Sequence, residues 1–152
     1  MTLYFIDTSA LTKLYVRELG TDLMLGLAAE GRTQRMALLS VTPLEFRSAV
    51  RRRERQGDID PEDVKRILAA FSADLASRFQ RQPVTEFVLE IALNLIDRHA
   101  LRAYDALQLG GCMALRSSSG EEEPIFLCAD KALCRAAVSE EVSVINPEVV
   151  CS

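Results

Sequence analysis

The sequence predicts an α/β fold, a doubly wound parallel sheet with helices on both faces. Three observations carry this. Short runs of apolar β-formers alternate with longer helical segments along the whole chain. The helices are punctuated by caps, prolines and glycines. No repeat, low-complexity tract or long linker divides the 152 residues, which fits a single domain over 1–152. Strands separated by helices call for parallel pairing and right-handed crossovers.

The elements follow in order. Leu3–Ile6 is the first apolar run and the first strand. Thr8 or Ser9 caps a helix expected to reach about Arg17. A second helix covers about Thr21–Glu30 and stops at Gly31, a residue suited to the position after a helix end. Arg35–Leu39 is strand two. "SVTPLEF" opens a helix with Thr42 as cap and Pro43 in first position, running to about Gln56 before Gly57. "DIDPEDV" repeats the device with Asp60 and Pro61, for a helix to about Phe79. Strand three falls near Gln80–Val84. Thr85 caps a helix to about His99, and another spans about Ala103–Arg116. "RSSSGEEEP" is a solvated polar loop. "IFLCAD" is strand four ending in an acid, Lys131–Val138 a short helix, and "VSVIN" strand five.

In open α/β sheets, ligands sit beyond the carboxyl ends of the strands, where the strand order reverses. Acids just after strands therefore matter most. Asp7 follows strand one, and Asp130 follows strand four after Ala129. Glu45 lies in the first turn of the helix after strand two. Asp105 lies in the first turn of "AYDALQLGG", whose apolar neighbours Ala103, Ala106, Leu107 and Leu109 predict a largely buried helix. Each acid alone reads as an ordinary cap or dipole partner. Together they place four carboxylates at one cleft, with no histidine or paired arginine in the same motifs. Two unit charges about 5 Å apart repel by roughly 3 kcal/mol at an effective dielectric near 20. Protons or cations must offset that. Oxygen-only donors suit Mg²⁺ or Mn²⁺ better than zinc. Ser9 or Thr8 adds a hydroxyl. Carboxylate-held divalent ions are the machinery of phosphodiester hydrolysis.

Four stretches, "FIDTSALTKLY", "TPLEF" around Glu45, "LRAYDALQL" around Asp105 and "FLCADKAL" around Asp130, resemble the PIN-domain family. The likeness is specifically to the VapC-type toxins of bacterial and archaeal toxin–antitoxin pairs. It spans nearly the whole chain. The first and third stretches are specific together, and the others are weak alone. The resemblance implies a three-layer α/β/α fold with a five-stranded parallel sheet. It implies a Mg²⁺- or Mn²⁺-dependent endoribonuclease whose acid set is Asp7, Glu45, Asp105 and Asp130, with Ser9 accessory. Asp130 holds the family's most variable position. It further implies a homodimer inhibited by a small cognate antitoxin. Family substrates include transfer and ribosomal RNA. Gly110–Gly111 departs from the pattern, since alanines are more usual there. Each glycine costs up to about 1 kcal/mol in a helix interior.

Other features point less sharply. Net charge is −4, which argues against a surface that binds nucleic acid by charge alone. Arg51, Arg52 and Arg53 form a basic run at a helix end, read either as a solvated charge–dipole placement or as an RNA-backbone contact. Arg102, and Arg98 before it, flank the third motif and read either as phosphate contacts or as plain surface residues. His99 reads as structural. Cys112, Cys128, Cys134 and Cys151 lack metal-ligand spacing and read as free, mostly buried thiols. No apolar stretch approaches the roughly 20 residues of a membrane span. No positive segment precedes the first apolar run, so a soluble cytoplasmic protein is expected. A receiver domain needs an acid pair after strand one and an acceptor Asp after strand three, and neither is present. A D-x-D phosphatase needs an acid where Ser9 stands. The main rival is a catalytically weak module of the same fold that binds metal or RNA.

Overall fold

The computed structural model describes residues 1–30 and 34–149. Five strands form one parallel sheet: β1 (Thr2–Ile6), β2 (Gln34–Leu39), β3 (Phe79–Gln82), β4 (Ile125–Leu127) and β5 (Ser143–Ile145), in the order β3–β2–β1–β4–β5. β1 is central. Tyr4 pairs with Met36 on one side and Ile125 on the other. The chain winds outward through β2 and β3, then returns to lay β4 on the other edge of β1. The reversal point thus lies between β1 and β4, where Asp7 and Asp130 emerge.

The alternation of β1 side chains sorts the helices into two layers. Tyr4 and Ile6, with Met36 and Leu38 of β2, pack under Ala10, Leu11, Met24, Phe46, Val50, Val64 and Phe71. These belong to α1 (Thr8–Leu11), α2 (Thr21–Ala28), α3 (Thr42–Arg55) and α4 (Pro61–Ser77). Leu3 and Phe5, with Ala37 and Leu39, face the opposite layer. That layer is α5 (Glu86–Arg98), α6 (Ala103–Ser118) and α7 (Lys131–Ser139). Strands buried on both faces read as continuous apolar runs, as β1 does.

Several local expectations shift. The cap of α1 is Asp7, whose carboxylate accepts from the Ser9 amide, and not Thr8 or Ser9. α1 lasts one turn and tightens into a 3₁₀ turn over Thr12–Leu14, well short of Arg17. α3 has Val41 in the cap position with no side-chain bond. The Thr42 hydroxyl is engaged elsewhere, by Gln108. α4 ends at Ser77, because Phe79 is already in β3 opposite Met36. α6 runs past Arg116 to Ser118, with Ser117 and Ser118 donating back to Met113 and Leu115 carbonyls. Ala103, expected inside, is exposed. The Gly31 stop and Cys151 lie outside the described residues.

Asp60 and Thr85 cap their helices as expected. His99 and Arg98 both bond Glu140, a structural tie between α5 and α7. Cys112 and Cys128 are buried and Cys134 half-buried, all free. Close packing accounts for Gly110–Gly111. A Cβ on Gly110 would sit 3.2 Å from the Val88 carbonyl oxygen of α5. One on Gly111 would sit 2.6 Å from Leu39 Cδ1 and 3.1 Å from Phe5 Cζ of the sheet. The pair lets α6 approach its neighbours on both sides. No helix of the described residues is long and apolar enough to cross a membrane.

Candidate active site

A cavity of about 470 Å³ opens at the carboxyl ends of β1 and β4. Asp7, Glu45, Asp105 and Asp130 all line it, with Thr8, Ser9, Arg53 and Arg102. Four acids from four separate motifs are therefore brought to one cavity. Each rides at a helix start: Asp7 and Asp130 as caps, Glu45 and Asp105 in first turns.

Asp7 is the most enclosed of them, at 4% exposure. Its Oδ2 accepts from Ser9 Oγ at 2.6 Å and from the Cys128 thiol at 3.6 Å. Ser9 Oγ in turn accepts from the Ala129 amide at 3.0 Å, tying the Asp7 turn to the loop that carries Asp130. Burial pushes the Asp7 carboxyl up to about 6 despite the Ser9 bonds, and the Asp105 charge adds to the rise. Asp105 is raised too, first by burial, with Arg102 opposing and Asp130 reinforcing. The acids thus feel one another across the cavity.

The carboxylates do not converge on a point. Among the described residues, no three Asp, Glu, His or Cys side chains stand close enough to hold an ion as they are. Three of the four face a local donor instead: Asp7 meets Ser9, Asp130 meets the Leu133 amide at 2.9 Å, and Asp105 meets Arg102 at 3.5 Å. The shared cleft is present, while the tight cluster expected from sequence is not. The donor chemistry still fits a hard divalent cation: oxygen only, acidic, and partly withdrawn from water. A buried carboxyl raised toward 6 is stabilised as the anion by any cation placed beside it.

The basic run divides. Arg53 lines the cavity and donates to Glu18 Oε2 at 2.7 Å. Arg51 pairs with Glu54 on the outer face of α3, and Arg52 is exposed. Neither lines the cavity. Arg102 reaches it with a largely exposed side chain.

Sequence reasoning missed two polar groups. Lys13 is buried at the cavity's far end, 3.1 Å from Glu18 and 2.6 Å from Glu148. Behind the acids, Gln108 and Tyr104 of α6 bond the hydroxyls of Thr8 and Thr42. A glutamine on the otherwise apolar face of "DALQLGG" was the available signal for the second. Lys13 carried none, because its partner Glu148 is 135 positions away.

The chain belongs to the PIN domain family, whose model matches residues 4–139. No curated protein matches it. Solved structures of similar fold include VapBC2 from Rickettsia felis bound to a promoter DNA fragment (13% identity, TM-score 0.64, 95% of this chain and 98% of that one). FitAcB from Neisseria gonorrhoeae shares 14% identity at TM-score 0.66, covering 98% and 100%. VapBC-5 from Mycobacterium tuberculosis, a toxin–antitoxin system, shares 15% at TM-score 0.62, covering 96% and 99%.

Proposed function

We propose that the chain is a metal-dependent endoribonuclease, the toxin of a type II toxin–antitoxin pair. The observation that carries this reading is the single cavity at the strand-order reversal, lined by Asp7, Glu45, Asp105 and Asp130. Membership of a family whose domains are generally nucleases supports it, as does the fold shared with toxin–antitoxin proteins.

Asp7, Glu45, Asp105 and Asp130 would hold Mg²⁺ or Mn²⁺ at this cavity. A bound divalent ion supplies acidified water and polarised phosphoryl oxygens. Ser9 fixes the Asp7 carboxylate, and one of the acids orients the attacking water. Arg53 and Arg102 meet backbone phosphates of the RNA. A small antitoxin from a neighbouring reading frame inhibits the toxin, which works in the cytoplasm as a homodimer. The unconverged carboxylates favour one alternative, a catalytically weak module of the same fold that binds RNA or metal.

The test incubates purified protein with a panel of structured RNAs and Mn²⁺, followed by mapping of the cleaved ends. Chelator should abolish cleavage and added Mn²⁺ restore it. Asp105→Asn should fold normally, bind Mn²⁺ weakly and lose at least about a hundredfold in rate, since even residues behind metal ligands cost 10–100-fold. Full activity in that variant contradicts the assignment. No cleavage across the panel selects the binding module.

A further inference from the structure

Gln108 is fully buried one turn beyond Asp105. Three hydroxyl oxygens from three elements surround its amide nitrogen. Thr42 Oγ1 of α3 lies at 2.9 Å, the Tyr104 hydroxyl at 2.9 Å and Thr8 Oγ1 of α1 at 3.4 Å. Tyr104 and Thr8 also bond each other at 3.2 Å. An amide nitrogen has two protons. The shorter contacts to Thr42 and Tyr104 use both, and Thr8 is held chiefly through the tyrosine. The amide oxygen of Gln108 has no partner.

This is an unfavourable way to fill a core. Methionine has nearly the same volume and no amide oxygen to leave unpaired, and a buried polar group lacking a partner opposes folding. What glutamine adds is directional attachment. Thr8 adjoins Asp7, Thr42 is three residues before Glu45, and Tyr104 adjoins Asp105. Three of the four acids sit on backbone pinned to one side chain. Ser9, bonded to Asp7 and to the Ala129 amide, attaches the fourth.

We propose that Gln108 is a positioning residue, its amide setting the spacing of the β1–α1, α3 and α6 starts, so that Asp7, Glu45 and Asp105 reach a common divalent cation. The inference rests on the nuclease reading for its purpose, though not for its geometry. Tyr104 is the relay to Thr8, and its half-buried ring also walls the cavity.

The experiment compares wild type with Gln108→Met and Tyr104→Phe in three measurements. The first is amide hydrogen exchange without metal, read at residues 8–10, 43–46 and 104–106. The second is Mn²⁺ affinity by electron paramagnetic resonance. The third is RNA cleavage resolved into kcat and KM. Gln108→Met removes the unpaired amide oxygen but also the partner of the buried Thr42 hydroxyl, so it should melt close to the wild-type temperature, yet exchange faster at all three helix starts. Its Mn²⁺ affinity should fall about tenfold to a hundredfold, and kcat should fall with KM unchanged. Tyr104→Phe should give the same pattern at smaller amplitude, strongest at residues 8–10. Unchanged exchange at the three starts overturns the proposal. So does a Gln108→Met protein that loses Mn²⁺ affinity only in proportion to lost stability. If exchange changes as expected while wild type neither binds Mn²⁺ nor cleaves RNA, the spacing role stands and the nuclease reading falls. If wild type cleaves and Gln108→Met equals it in kcat and Mn²⁺ affinity, the reverse holds.

Discussion

The two ends of the cavity are built on opposite electrostatic plans. At one end Asp7 and Asp105 sit among other acids, with carboxyls raised above the usual range first by burial, then by a neighbouring charge, Asp105 for Asp7 and Asp130 for Asp105. The nearest basic group, Arg102, is largely exposed. At the other end charges alternate in a chain: Glu148 to Lys13 at 2.6 Å, Lys13 to Glu18 at 3.1 Å, Glu18 to Arg53 at 2.7 Å. That end satisfies itself. It fastens the segment after β5 to the 3₁₀ turn after α1, where the Pro147 carbonyl packs on Gly20. Gly20, at φ +92, has room for no side chain. A cavity with one end neutral and the other left acidic has its affinity for external cations confined to the acidic end.

Asp7→Asn should break the contrast most sharply. Cleavage should fall by at least about a hundredfold, while the metal-free protein becomes more stable near neutral pH. The sign follows from the raised carboxyl. Folding holds the Asp7 proton up to about pH 6, whereas the unfolded chain releases it near 4. The stability tied to that proton is complete below about 4 and is lost as pH rises through 6. Asparagine keeps a cap and carries no charge at any pH. Its advantage should be absent at acid pH and reach on the order of 2–3 kcal/mol above pH 7. Denaturant titrations with chelator across pH 4–8 measure this. A variant less stable than wild type at pH 8 would mean that Asp7 is not an unrelieved charge.

Lys13→Met probes the paired end and should act in the opposite direction. Removing the cation leaves Glu148 without its partner and Glu18 with Arg53 alone. Both retain some water access, at 23% and 38% exposure. The loss should therefore be about 1–3 kcal/mol, below the 3–5 of a fully buried pair. Thermal unfolding should show it, with Mn²⁺ affinity unchanged. A change in Mn²⁺ affinity without a change in stability would merge the two ends into one site.

The smallest effect separates the arginines. Arg53→Gln should reduce the salt dependence of RNA binding by about one unit of slope. Arg51→Gln, outside the cavity, should leave it unchanged. Equal slopes for both would place RNA on the outer face of α3.

Aspartate shows where reading a sequence stops. "DIDP", "FIDTS" and "CADKA" each place an acid before a helix, and Asp60, Asp7 and Asp130 all prove to be caps. Asp60 is exposed and serves only its helix. Asp7 is enclosed because β1 is the central strand, flanked by β2 and β4. The apolar run before Asp7 marks it as the end of a strand, but no local pattern states how deeply that strand is buried. The distinction came from strand order, which the alternation of elements made inferable.

The parallel sheet, the helix starts to within a residue or so, and the four acids now found at one cavity were legible in local patterns. Apolar runs, caps and prolines act within a few residues and so leave local marks. Only the tertiary structure decided the rest. It paired Lys13 with Glu148, split Arg53 from Arg51, gathered Thr8, Thr42 and Tyr104 around Gln108, and seated Gly111 against Leu39 and Phe5. These contacts join positions far apart along the chain, and their energy depends on burial and direction, which no local pattern of residues encodes.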